Sequence, residues 1–269
     1  MRTGRVDRTS RSQANVFRLQ SSGGLARLRV KSVGRMTLKT SRPREWDRQA
    51  VSWDSGIHSP TWPHYHYYRT FDLYLPRYLG GRKRVLELGC GTGDSIPRFS
   101  PHVDELWAFD FSREMLRAAQ RKLDGADFAK NVHILVAHAL ALPFRGASFD
   151  GAYSRGALVN YVADPRALFA EVRRVLQQGG GFLFDMIRGR PGGEAMLYTN
   201  DQIDGMLRDA GFDSIEFLPL GIFLNLPTGS DLREFADKNR DTFSRIEIKM
   251  ADCFKLEKAV MVLISAIAT

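Results

Sequence analysis

From Gly81 onward the chain alternates strand-length apolar runs with segments of helical period. The runs are "RVLEL" at 84–88, "ELWAF" at 105–109, "VHILVA" at 132–137, "FDGAYS" at 149–154, "GFLFDM" at 181–186, "DSIEFL" at 213–218 and "KAVMVLISAI" at 258–267. Such alternation restricts a chain to few folds, because each strand must be covered on both faces and successive parallel strands need a helical crossover. An α/β fold around a seven-stranded sheet is expected. The intervening segments carry helix-end signals. Ser112 can cap a helix reaching Leu123, and Asp164 with Pro165 at the first helical position starts one running to about Gln177, stopped by Gly179 to Gly181. Thr199 and Gln202 stand at capping-box spacing, and Gly211 closes the helix they begin.

Charge divides the chain in two. Residues 1–44 hold twelve of the 39 Lys and Arg and only one of the 30 Asp and Glu, so the net charge of +9 belongs to this segment and the rest is slightly acidic. Rich in Arg and Ser and poor in apolar periodicity, the segment cannot bury enough surface to offset its ordering entropy and is expected to be a disordered basic tail. A transit peptide, a polyanion-binding arm and a non-native extension ahead of Met36 all fit it. Residues 45–269 then form one domain, with 219–250 as an insertion, apolar at its start and charged and helical from Asp231. Two cysteines, Cys90 and Cys253, cannot build a disulfide framework, so a reducing compartment is expected: the cytoplasm, or an organelle if the tail is an import signal. No apolar run reaches the roughly 18 residues of a membrane helix. Oligomeric state is not legible.

Directly behind the leading strand comes "LGCGTGDS", with glycines at 89, 91 and 93. In an open α/β sheet, ligands lie at the carboxyl ends of strands, and a turn without Cβ atoms lets backbone approach them closely. A dinucleotide fingerprint asks for a third glycine at 94, where Asp94 stands, and no Lys-Ser/Thr pair completes a phosphate loop. Asp110 closes the second strand 21 positions after Gly89, where a carboxylate can accept both hydroxyls of a ribose. A ribose held without a diphosphate leaves few common cofactors.

These residues resemble the class I S-adenosylmethionine-dependent methyltransferases, in their small-molecule branch. The likeness covers roughly residues 46–218 and rests on four ordered motifs, "VLELGCGTG", "FDFSREML", "LPFRGASFD" and "EVRRVLQQGGGFLFDM". It implies a Rossmann-like three-layer sandwich whose mostly parallel sheet ends in an antiparallel strand inserted beside strand five. S-adenosyl-L-methionine is the implied cofactor, contacted by Glu87, Gly89, Cys90, Gly91 and Gly93 of the first turn, Asp110 and Phe111 after the second strand, His138 and Ala139 after the third, and Ser154 ending the fourth. The aromatic cluster before the sheet (Trp46, Trp53, Trp62, Tyr65, Tyr67 and Tyr68) corresponds to a segment that lids the cofactor and lines the acceptor pocket in that family.

The chain departs from the family's pattern twice. Ala137-His138 replaces the usual Gly-Asp ahead of "LPF", so a neutral imidazole nitrogen is expected to accept from the adenine amine, with affinity falling as His138 protonates. Asn160 stands where many relatives carry histidine, which leaves His64, His66 and Tyr161 as positional candidates for a catalytic base. His64 and His66 could also pair on a metal, but no third ligand stands at a matching spacing, and no metal is expected. Arg155 and Arg188 are candidate anchors for an acidic acceptor group. The reading is therefore a methyltransferase acting on a small organic acceptor by in-line displacement. Two alternatives stand beside it: an RNA-modifying enzyme using the basic arm, disfavoured by the acidic domain, and a cofactor-binding protein without transfer activity.

Overall fold

The structure, a computed structural model, describes residues 43–57, 65–187, 197–221, 235, 238–253, 256, 259 and 261–269. Seven strands, β1 (Arg84–Leu88), β2 (Glu105–Asp110), β3 (Val132–Val136), β4 (Phe149–Ser154), β5 (Leu176–Ile187), β6 (Phe212–Leu220) and β7 (Met261–Ala268), form one sheet in the order β3-β2-β1-β4-β5-β7-β6. Pairings from β3 through β5 are parallel, while β7 runs antiparallel between β5 and β6. The expected inserted last strand is therefore present. The strand order reverses between β1 and β4, which places a crevice at their carboxyl ends.

Each face of the sheet is covered. Alternate strand residues Leu86, Leu88, Phe182 and Phe184 pack with Leu168, Phe169 and Val172 of α6 (Pro165–Val175) and with Ile203 and Leu207 of α7 (Asn200–Asp209). The intervening residues Val85 and Leu183 pack with Phe71, Tyr74 and Leu75 of α3 (Tyr65–Leu79), Ile96 and Phe99 of α4 (Ile96–Phe99), and Leu116 and Ala119 of α5 (Arg113–Leu123). This period-two partition is what a sheet buried on both sides demands. Two short helices, α1 (Pro43–Gln49) and α2 (Trp53–Ile57), precede α3, and α8 (Arg240–Met250) precedes β7. Helix α8 is tied to α3 by Thr70 donating to Glu247 at 3.1 Å and by the Arg69–Asp241 pair at 2.6 Å.

The helix caps match the signals read from the sequence: Ser112 accepts from the Met115 N–H, Asp164 from that of Ala167, and Thr199 and Gln202 form a capping box. The end of α6 does not. The helix stops at Val175, and Leu176 is both its C-cap and the first residue of β5. Gly179 to Gly181 sit inside the ladder instead: Leu176 pairs with Phe149 and Gly181 with Gly151, so three additional residues of β5 loop out between those points. β6 carries a smaller irregularity, one extra residue between Asp213 and Glu216, where Ser214 adopts a φ of +47°. Residues 1–42 of the basic tail, Trp62, His64, Arg188 and residues 222–234, 236 and 237 of the insertion lie outside the described residues.

Candidate active site

A cavity of about 370 Å³ opens at the carboxyl ends of β1, β2 and β4, at the strand-order reversal. It is bounded by Glu87, Gly89, Cys90 and Gly91 of the first turn, by Asp110 and Phe111 after β2, and by His138 and Ala139 after β3. Tyr67 and Tyr68 of α3, Arg155, Gly156, Leu158, Tyr161 and Val162 after β4, and Ile187 and Met261 on β5 and β7 add to the lining. Trp46 and Trp53 also line it.

Gly93 and Ser154 lie outside this lining. Gly91 is required by its left-handed backbone, with a φ of +54°, since a Cβ there would meet only the Trp53 indole nitrogen at an ordinary 3.9 Å. Gly93 serves packing instead: a Cβ would stand 3.0 Å from Ile96 and 3.1 Å from Ala119, in backbone with φ +73°. Gly93→Ala is expected to lower folding stability by roughly 1–3 kcal/mol through that clash and the left-handed backbone, read as a shift in urea midpoint. Ser154 is buried, and its hydroxyl has no partner among the described residues.

Asp110 organises the first turn. Its Oδ2 accepts from the Gly91 N–H at 2.9 Å and its Oδ1 from the Ser112 N–H at 2.8 Å, which fixes the carboxylate plane and leaves a lone pair on each oxygen. Burial pushes its pKa up to about 6 against those two bonds. Glu87 is buried below the same turn, with Oε1 accepting from Ser95 Oγ at 2.5 Å and Oε2 without a partner among the described residues. Desolvation raises it to about 7. An unpartnered buried carboxylate oxygen on a cavity-lining residue is a costly arrangement that a cationic group can relieve.

Two acids hold the aromatic helices over the cavity. Asp47 of α1 accepts from Ser112 Oγ at 2.6 Å, and Asp54 of α2 accepts from Thr92 Oγ1 at 2.5 Å and Lys122 Nζ at 2.8 Å. Both contacts reach residues flanking the ones that carry Asp110 and Gly91. Trp46 consequently meets Trp53 edge-on at 5.6 Å and Tyr161 at 6.1 Å.

The positional candidates fare unequally. Tyr161 lines the cavity, but burial and the Asp185 charge raise its phenol, so it presents a hydroxyl and not a base. Asn160 is buried and mimics a strand partner, with Oδ1 accepting from the Ile187 N–H at 2.9 Å. Arg155 is not available as an anchor for an acidic group. Its guanidinium bonds Asp72 at 3.2 Å and Asp94 at 3.0 Å, lies 4.5 Å from the Tyr68 ring centroid, and is 7% exposed. His66 falls on α3, and His64 lies outside the described residues. Among the described residues no group of three His, Cys, Asp or Glu side chains is arranged to hold a metal ion. Met115 and Met261 line the cavity without having been singled out in the sequence: Met115 is an inward position on the first turn of α5, whereas Met261 arrives through the β5–β7 register and has no local signal.

Comparison with known proteins agrees with this geometry. The description of a methyltransferase domain family matches residues 85–180. An O-methyltransferase of Aspergillus nomiae, rstn1, is 31% identical over 150 residues, covering 50% of this chain and 66% of its own length. Among solved structures, a possible histamine N-methyltransferase of Thermotoga maritima superposes with a TM-score of 0.58 at 17% identity, over 84% of this chain and 99% of that one. Residues 85–180 are a methyltransferase domain, and the likeness supports the class I S-adenosylmethionine-dependent family that the motifs implied. A phosphoethanolamine N-methyltransferase of Haemonchus contortus, solved in complex with S-adenosyl-L-methionine, shares the fold at 18% identity and a TM-score of 0.55, covering 81% of this chain and 59% of that one. The chain spans 53–66% of the length of the first curated relatives it matches. The family match covers β1 through the start of β5, the same span that carries the glycine turn, Asp110 and His138.

Proposed function

We propose that the chain transfers a methyl group from S-adenosyl-L-methionine to a hydroxyl of a small, mainly apolar organic acceptor. The observation that carries this reading is one cavity whose lining combines the buried carboxylates Glu87 and Asp110 with the apolar and aromatic side chains of Tyr67, Tyr68, Leu158, Tyr161, Val162 and Met261. The unpartnered Glu87 Oε2 fits the cofactor's ammonium group, and the remaining lone pairs of Asp110 fit its ribose hydroxyls. Gly89 and Gly91, with Cys90 between them, give the methionyl part a wall without β-branches, and Phe111, His138 and Ala139 border the space for the purine.

Bound there, the cofactor supplies a methyl group on a sulfonium, which needs alignment and dryness more than covalent help. Trp46, Trp53 and Tyr161 provide aromatic faces that exclude water and suit a cation. None of the tyrosines lining the cavity, nor Arg155, accepts a proton near neutral pH. Tyr67, Tyr68 and Tyr161 are all raised by burial, and the Arg155 charge is held by two carboxylates. An acidic hydroxyl, such as a phenol or enol that reaches the site ionised or nearly so, suits such a lining. The O-methyltransferase relative supports the acceptor atom.

Incubating the protein with methyl-labelled cofactor and a panel of phenols, enols, amines and thiols, followed by mass spectrometry, tests the reading. Transfer to hydroxyl acceptors of low pKa is expected, and exclusive transfer to amines or to RNA defeats it. A thermodynamic signature comes with it. Burial raises the Glu87 carboxyl to about 7, and pairing with an ammonium favours its ionised form, so binding near neutral pH should release protons. Calorimetry of S-adenosylhomocysteine in buffers of different ionisation enthalpy measures that release, and Glu87→Gln should abolish it.

A further inference from the structure

The side chain of His138 lines the cavity between the carboxyl ends of β2 and β3, with its ring perpendicular to that of Phe111 and 6.4 Å from it. Its Nδ1 receives the Leu140 backbone N–H at 3.2 Å. A backbone N–H can only donate, so the ring atom that meets it carries a lone pair. Desolvation lowers the imidazole's pKa, and a proton on Nδ1 would oppose the Leu140 donor. The ring is thus neutral, and its one proton sits on Nε2. The acceptor role expected from the sequence would need a bare Nε2, which this arrangement withholds.

We propose that His138 recognises the purine as a donor: Nε2–H bonds a ring nitrogen of the base, and His138 does not read the exocyclic 6-amine at all. The inference rests on the cavity being the cofactor site. An aspartate in the same position would accept from the amine and favour adenine over purines without that group. The histidine reverses the polarity of that contact, so the site should tolerate loss or substitution of the amine while depending on the ring nitrogen.

Calorimetry with two ligands tests this on the whole chain: S-adenosylhomocysteine and its 6-deamino analogue, which keeps every purine ring nitrogen but lacks the amine. The wild-type protein is expected to bind the two within about threefold of each other, the span of a contact that is not made. His138→Phe keeps ring size and removes the donor, and should weaken both ligands equally, by about tenfold. His138→Asp restores an acceptor and should create a preference of about tenfold for the amine-bearing ligand. Far-ultraviolet circular dichroism of each variant establishes that it is folded. A tenfold wild-type preference for the amine-bearing ligand overturns the inference while leaving the cofactor site standing, as does an unchanged affinity in folded His138→Phe. Failure of the wild type to bind either ligand overturns the inference and the cofactor site together.

Discussion

Replacing Arg155 by methionine is expected to cost about 3–5 kcal/mol of folding stability, the range seen when one partner of a buried charge group is removed. Four charges meet behind the turn after β4. Arg155 bridges Asp72 of α3 and Asp94 of the glycine turn, and Arg98 closes the group with contacts of 2.6 Å to each of the same carboxylates. Asp72 is 1% exposed and Arg155 is 7% exposed, so neither charge can turn to water if its partner is lost. Burial pushes the Asp72 carboxyl upward against the pull of Arg155 and Arg98. Burial acts on Asp94 in the same sense, but the two guanidiniums outweigh it and hold that carboxyl well below its usual range. Without Arg155, Arg98 alone would face two carboxylates. Urea unfolding of the single variant and of Arg155→Met combined with Asp72→Asn checks the assignment: the second change should recover part of the loss. A loss below about 1 kcal/mol in the single variant would place these residues in the class of solvent-screened pairs.

Asp110→Asn should weaken S-adenosylhomocysteine binding by about 10- to 100-fold, as expected when a charged hydrogen-bond acceptor is removed from a buried site. The amide brings a second effect, because its NH₂ must face either the Gly91 N–H or the Ser112 N–H and cannot accept from both. Two donors would then oppose each other at the base of the turn. The control is an analogue without the 2′ and 3′ hydroxyls, which the wild type and the variant should bind with similar, weak affinity. If the variant discriminates between the two ligands as the wild type does, Asp110 shapes the turn without touching the ribose.

Much of this was legible in the chain itself. The bounds of β1 and β4 follow directly from their apolar runs, because buried parallel strands leave no room for polar residues except where a ligand or another strand explains them. The caps at Ser112, Asp164 and Thr199 were legible because a cap is a local event between residues three apart. The glycines at 179–181 misled for the same reason: locally they end a helix, but only the register of β4 against β5 shows that Gly179 and Gly180 loop out of a ladder that Gly181 rejoins. Gly93 follows Gly89 and Gly91 at identical spacing and does different work, since its neighbours Ile96 and Ala119 come from the helices that pack behind the turn. Arg155 looked available because Asp72 stands 83 residues away. For His138 the residue type was readable, but its direction as donor or acceptor was not, since that depends on which nitrogen meets the Leu140 backbone.

The insertion of β7 between β5 and β6 also governs the order in which the sheet can be finished. Every strand from β2 to β5 finds a parallel neighbour already synthesised, whereas β6 has none until Met261–Ala268 arrives. Until then the nascent chain carries one open, apolar edge along Phe182–Met186 and a detached ribbon at Phe212–Leu220, the two surfaces from which intermolecular pairing starts. The last eight-residue strand therefore acts as a zip between two halves of the sheet, and substitutions in it should lower the yield of folded protein more steeply than equal core losses in β1 or β2.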